Sequence, residues 1–198
     1  MKSSKTVAVI DFETTGISPA TGAKPTEIAI VLVEKNLVVD RFQSLMNPGT
    51  WIPSHIEKFT GISNPMVAAA PSVENVMKQA FLFCKTTKIV AHNASFDKKF
   101  WQVEKEKIQS PSSIEDQFLC TVLLARRVYK SCPNHKLSTL ATYLNLKANS
   151  SFHRAAVDAE VTAQLYIKIC NNLDISGTFG AIDYDKLLTL QKSKNKYR

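Results

Sequence analysis

Four carboxylates and one imidazole stand out by type and spacing. Asp11 and Glu13 lie in Ile10-Asp11-Phe12-Glu13-Thr14-Thr15-Gly16, Asp97 closes His92-Asn93-Ala94-Ser95-Phe96-Asp97, and His153 and Asp158 bracket His153-Arg154-Ala155-Ala156-Val157-Asp158. Each sits at the edge of an apolar segment. Acids and a histidine in three separated stretches suggest a phosphodiesterase site built on two metal ions. Hard oxygen ligands without clustered histidines or cysteines favour Mg²⁺, with Mn²⁺ able to substitute, over Zn²⁺. The charges also balance, because four carboxylates (−4) match two divalent ions (+4). Two such ions about 3.5–4 Å apart can activate an attacking water and stabilise a leaving oxygen. An imidazole, which changes charge between pH 5 and 8, suits a base that takes the proton from that water.

The elements that must position these groups can be read from periodicity. Lys5 to Asp11 reads as a buried strand, since Val7, Ala8, Val9 and Ile10 are apolar without a break. Asp11 and Glu13, two apart at its end, point to the same face. Two solvated acids on a surface strand is the alternative, and the four apolar residues before Asp11 oppose it. Such a strand is central, and ligands gather at the carboxyl end of an open sheet. Glu27 to Glu34 and Leu37 to Leu45 read as two more strands joined in a hairpin at Lys35-Asn36. Short helices or turns are expected over 53–70. A helix capped by Ser72 follows, then a strand over Lys88 to Ala91 and a helix over Ala94 to Ile108. A short strand is expected near Phe118-Leu119-Cys120, with helices around 121–130 and 136–145. The last long helix should run from Arg154 to Asn171.

Asp97 falls at a strand–helix junction, where two readings stand: a metal ligand, or an acid favoured by the helix N-terminus. His153 and Asp158 are five apart, a rotation of about 500° on a helix, so they diverge by roughly 140° if both are helical. The spacing therefore predicts His153 in the preceding loop, with Asn149, Ser150 and Ser151, and Asp158 in the first turns of the helix. A lone loop histidine is more often a surface residue than a catalyst.

The chain has 198 residues, 44% of them apolar, enough for one domain with a sizeable core. Lys and Arg exceed Asp and Glu by 25 − 17 = 8. That balance suits a polyanionic partner, although a soluble protein can be basic for no such reason. Cys84, Cys120, Cys132 and Cys170 form no Cys-x-x-Cys pair, so neither a zinc site nor a disulfide framework is expected. Cys84, Cys120 and Cys170 are expected as buried thiols in a reducing compartment. No apolar run approaches the length of a membrane span, and Met1 to Lys5 carries no signal-like hydrophobic stretch. The cytoplasm, without a membrane partner, is the expectation.

The three blocks match, in order and spacing over residues 5–170, the DEDDh 3′–5′ exonucleases, and the chain resembles that family. The group includes the epsilon proofreading subunit of bacterial DNA polymerase III, ribonuclease T and oligoribonuclease. The resemblance implies an α/β ribonuclease H-like fold, a mixed central sheet flanked by helices. It assigns metal ligation to Asp11, Glu13, Asp97 and Asp158 and the general base to His153. Attack on the terminal phosphodiester would release nucleoside 5′-monophosphates from a 3′ end. Phe12, Thr14, Thr15 and Gly16 would lie near the terminal nucleotide. Phe59-Thr60-Gly61-Ile62 resembles the segment lining the terminal-base pocket, with Phe59, Thr60 and Ile62 as substrate contacts. In polymerase-associated members a histidine commonly stands where Thr60 does, a departure bearing on nucleotide contact and not on metal chemistry. Asn93 and Phe96 are further substrate-side candidates, and Phe96 reads equally well as core.

The implied partners are single-stranded 3′ ends, DNA ahead of RNA, and a DNA polymerase if the chain is a proofreading component; no polymerase-binding peptide is visible, and no motif sets the oligomeric state. RNA or short oligoribonucleotides remain an alternative substrate, because no motif reports contacts to the 2′-hydroxyl. A reading from another class, an inactive nucleic-acid-binding module, predicts a missing ligand or histidine, and all five residues are present. Residues 1–172 would form the exonuclease domain. Residues 173–198 would form an extension with a loop over Asp174 to Gly180, a short helix over Tyr184 to Leu190 and a basic tail of Lys192, Lys194, Lys196 and Arg198.

Overall fold

The computed structural model describes residues 6–84, 87–108, 117–148, 152–175 and 184–193. Its centre is a five-stranded sheet: β1 (Thr6–Thr14), β2 (Pro25–Glu34), β3 (Leu37–Leu45), β4 (Lys88–Ala91) and β5 (Phe118–Cys120), in the order β3-β2-β1-β4-β5. β2 runs antiparallel to β1 and to β3, whereas β4 is parallel to β1 and to β5. This is the mixed sheet expected of a ribonuclease H-like α/β fold. The continuous apolar run places β1 at the centre, where Ala8, Val9 and Ile10 have no exposed surface.

The β2–β3 connection is the two-residue turn expected at Lys35 and Asn36, whose φ values are 50° and 61°. Positive φ at both positions matches the twist of the flanking strands. Eight helices surround the sheet: α1 (Ser54–Thr60), α2 (Asn64–Ala68), α3 (Val73–Phe83), α4 (Ser95–Lys107), α5 (Thr121–Val128), α6 (Leu137–Tyr143), α7 (Ala155–Ile175) and α8 (Tyr184–Lys192) among the described residues. Ser72 caps α3 as predicted, its hydroxyl accepting the Asn75 N–H at 3.3 Å.

The two-residue period of β1 divides the core. Ala8, Ile10 and Phe12 pack on α3 and α4 with Met77, Phe81, Phe100 and Trp101. Val7 and Val9 face the other way, toward Leu124, Leu140, Ala159, Leu165 and Ile169 of α5, α6 and α7. Odd-numbered side chains of β1 therefore face α7, and Asp11 and Glu13 inherit that direction.

Several boundaries differ from expectation. β1 continues past Asp11 to Thr14 because β2 supplies partners as far as Pro25. α7 continues past Asn171 to Ile175, because Leu173, four residues beyond Ile169, packs against the same cluster. Asp174 and Ile175 are thus helical, while 176–180 of the expected loop lie outside the described residues. So do Asn149, Ser150, Ser151, Lys194, Lys196 and Arg198. α8 buries Tyr184, Leu187 and Leu188 against the α7-side core. The Gln191 amide occupies the free edge of β5, accepting from Cys120 N at 2.8 Å and donating to Phe118 O at 3.1 Å. It covers an edge that would otherwise offer unpaired backbone groups. No disulfide joins the four cysteines; Cys84, Cys132 and Cys170 are buried, whereas Cys120, at the end of β5, is only half-buried.

Candidate active site

Asp11 and Glu13 leave the carboxyl-terminal half of β1 on the α7 face and meet Asp158 from the first turn of α7. One carboxylate oxygen from each of the three lies within 4.8 Å of the others. Asp97, in the first turn of α4, comes to the same strand end from the opposite layer. It is almost fully buried, and its Oδ1 accepts the Phe12 peptide N–H at 3.1 Å. The sequence-predicted carboxylates thus converge on one end of one strand.

Electrostatics shows what this convergence costs. Desolvation, then repulsion from Asp97, Asp158, Glu13 and Glu27, holds Asp11 well above the ordinary carboxyl range. Burial, then Asp158, Glu27 and Asp97, pushes Glu13 up to about 8, with Arg154 pulling it down. Burial pushes Asp97 up to about 8 against hydrogen bonds from peptide N–H groups, that of Phe12 included. Burial also raises Asp158, opposed by the hydrogen bond and charge of His153. Crowded carboxylates in low dielectric are costly unless a counter-charge joins them. Asp158 Oδ1 is buried and has no hydrogen-bond partner, an oxygen left available for such a charge. The donor set is all hard oxygen, so the residues present fit a divalent cation of the Mg²⁺ or Mn²⁺ kind.

His153 occupies the bend before α7 with φ of 70°, as the five-residue spacing predicts. Its peptide N–H donates to Asp158 Oδ2 at 3.2 Å. Its exposed imidazole stacks on Phe59, ring centroids 3.9 Å apart and tilted by 35°. Phe59, on α1, is itself 58% exposed. The proposed base and the proposed base-stacking ring therefore stand side by side.

Sequence reasoning missed Glu27 and Arg154. Glu27 lies opposite Glu13 across β1 and β2 and has no exposed surface. Both its oxygens are engaged. Oε1 accepts from Arg154 Nη2 (2.9 Å) and Gln43 Nε2 (2.8 Å), and Oε2 accepts from Arg154 Nε (3.2 Å) and Ala155 N (3.0 Å). Ala155 is the first residue of α7, so a strand carboxylate serves as its N-terminal acceptor. The available signal was a lone acid heading an apolar strand.

The remaining candidates divide. The Phe12 ring packs in the α4-side core, and Phe96 packs on Phe100 at 5.2 Å. The Thr14 hydroxyl donates to Gly16 O (2.6 Å), and the Thr15 hydroxyl accepts the Lys24 N–H (3.0 Å). A Cβ at Gly16 would lie 3.3 Å from Ala23 Cβ, so glycine eases the close approach of two chain segments there. Thr60 donates to Ile56 O and accepts from Ile62 N, closing α1, while Ile62 is fully buried with Ile52 and Val67. These side chains are engaged within the fold itself. Phe59 and Asn93 present side chains outward.

Comparison with known proteins agrees with this geometry. The family model described as Exonuclease (RNase_T) matches residues 8–166. The DNA polymerase III subunit epsilon of Aquifex aeolicus (strain VF5) is 34% identical over 194 residues, covering 96% of this chain and 91% of that protein. A PolC-type DNA polymerase III of Caldanaerobacter subterraneus subsp. tengcongensis is 36% identical over 180 residues, but the match covers 91% of this chain and only 13% of the polymerase. Exonuclease X in complex with 5′-overhanging duplex DNA superposes with a TM-score of 0.70 at 25% identity, covering 93% of this chain and 99% of that one. Among the described residues no helix is long and apolar enough to cross a membrane. With its acidic cluster at the end of β1 and a family match over most of its length, the chain belongs to the exonuclease family as a 3′–5′ exonuclease of the DEDDh type.

Proposed function

We propose that the chain removes nucleoside 5′-monophosphates from the 3′ ends of single-stranded DNA, with two Mg²⁺ ions held by Asp11, Glu13, Asp97 and Asp158, and Mn²⁺ able to substitute. One observation carries the reading: three carboxylates converge within 4.8 Å, one bearing a buried unpaired oxygen, beside a histidine on the open side of the site. Bound ions would polarise the phosphate and acidify the attacking water.

The chain's own groups divide the remaining work. His153 accepts the proton of the attacking water, tethered by its peptide N–H to Asp158. Phe59 offers an open aromatic face beside it on which the terminal base can stack. Asp97 fixes the backbone of Phe12, and hence the strand end that carries Asp11 and Glu13. The +8 net charge supports a polyanionic substrate. Likeness to an epsilon subunit over 91% of its length supports DNA and a polymerase partner. Four cysteines outside any disulfide fit a reducing, cytoplasmic setting.

The test is a degradation time course on 5′-labelled single-stranded DNA and RNA of one sequence, with Mg²⁺, Mn²⁺ or chelator. A metal-dependent ladder shortening from the 3′ end, faster on DNA, is expected. Faster loss of RNA would make the chain an exoribonuclease, and no shortening of either would return it to the binding-module reading.

A further inference from the structure

A cavity of about 290 Å³ opens beside the acidic site, at the carboxyl ends of β4 and β5. Its lining includes Asn93 from the turn before α4, Ser95 and Lys98 from the start of α4, Cys120 from β5, Arg126 from α5 and Gln191 from α8. Lys98 and Arg126 are its charged groups, and no carboxylate lines it. Lys98 is only half exposed, yet neither cation takes part in an ion pair among the described residues. Two unpaired cations held from different helices around one concave surface form a local positive potential.

Its position gives that potential a use. Asp97 lies between Ser95 and Lys98 in the first turn of α4; its carboxylate turns to β1 while its neighbours line the cavity. In the sheet order, β4 and β5 follow β1. Strands are spaced about 4.8 Å apart, so the cavity begins about 5–10 Å from the strand that carries Asp11 and Glu13. A strand whose terminal phosphodiester sits among the carboxylates has its next phosphates within reach of the cavity. We infer that the Lys98–Arg126 cavity binds a backbone phosphate of the substrate strand, upstream of the bond being cut. It holds the strand against the repulsion of the acidic cluster and makes efficient hydrolysis depend on chain length. The inference rests on the exonuclease reading and adds to it a second, non-catalytic contact.

The experiment compares wild type with K98A/R126A on two substrates. Thymidine 5′-monophosphate p-nitrophenyl ester has one phosphodiester and no upstream phosphate; a 5′-labelled single-stranded oligonucleotide has many. The double variant should hydrolyse the ester within about twofold of wild type and lose about tenfold in kcat/KM on the oligonucleotide, chiefly through KM, the size expected for losing one charge-assisted contact. The slope of log affinity against log salt, read by anisotropy in Ca²⁺, should shrink by about 0.7 for one single-strand phosphate released. A neutral methylphosphonate at the contacted linkage should slow wild type and leave the variant unaffected. Unchanged oligonucleotide kinetics, or an equal loss on both substrates, would overturn the inference while leaving the exonuclease reading intact. A wild type inert on both substrates would remove both.

Discussion

The Glu27 carboxylate and the Arg154 guanidinium form a two-pronged ion pair, 2.9 and 3.2 Å, that ties the floor of β2 to the residue between His153 and α7. Glu27 also accepts the first N–H of α7. One buried side chain therefore sets where His153 leaves the loop and where Asp158 begins to project. Arg154 also offsets the repulsion of Glu13, which faces Glu27 directly across the strands.

Glu27 is thus a positioning residue. Glu27→Ala leaves a partly buried guanidinium and a helix N-terminus without their acceptor, and should cost about 3 kcal/mol, the lower end of the range for breaking a buried pair. Urea denaturation measures it. Glu27→Gln keeps the shape and an acceptor oxygen. It should fold, with kcat reduced, KM for DNA nearly unchanged and a higher Mg²⁺ requirement. A kcat and Mg²⁺ requirement equal to wild type would show that the pair has no part in positioning.

Removing a proposed ligand should separate stability from activity. Asp11→Asn takes one charge from a crowded cluster, so the metal-free protein should become more stable near pH 8. Hydrolysis should fall by at least about a hundredfold, as when a principal charge-stabilising group is lost from an active site. Thermal melts in chelator and the DNA time course check the two halves.

The raised carboxyls predict a pH dependence whose sign can be worked out. Burial and mutual repulsion raise Glu13 from 4.5, and Asp97 from 3.8, to about 8 in the folded chain. The folded state then holds more protons than the unfolded state between those limits. Stability without metal is fully present below about pH 4 and is lost as pH rises through about 8. Divalent metal reverses the trend, because its ligands must be deprotonated. The Mg²⁺-induced rise in Tm should grow from pH 5 to pH 8, reaching about 2.7 kcal/mol, or about 5–10 °C, at a hundredfold excess over Kd. A rise independent of pH would contradict the proposed ligands.

The His153–Phe59 stack should matter less than the histidine itself. His153→Ala removes the proton acceptor and should cost about 10²–10⁴-fold in kcat. Phe59→Ala removes an aromatic partner worth about 0.5–1.5 kcal/mol, or about 2–12-fold, and Phe59→Trp should restore most of it. Single-turnover rates separate these effects from product release. Equal losses in the two alanine variants would mean that His153 works only when the Phe59 stack holds it.

The sequence alone determined the proposed ligand set and the scaffold that carries it. An unbroken apolar run had to be a central strand, and a two-residue period put Asp11 and Glu13 on one face. The five-residue step from His153 to Asp158 had to place the histidine outside the helix. These conclusions are local, because backbone geometry decides which way neighbouring side chains point. Glu27 and Arg154 are 127 residues apart, and nothing local distinguishes Glu27 from a solvated strand acid. Only the pairing of β2 with β1 and the docking of α7 across both gave it Arg154 and the Ala155 N–H. The same holds for two candidate substrate contacts. Ile62 and Phe12 had the right composition for base contacts, and packing turned both rings and methyls into core. The Lys98–Arg126 cavity likewise exists only because β4 and β5 bring the starts of α4 and α5 together. Charge type is written in the chain, whereas which charges share a low-dielectric space is decided by tertiary structure.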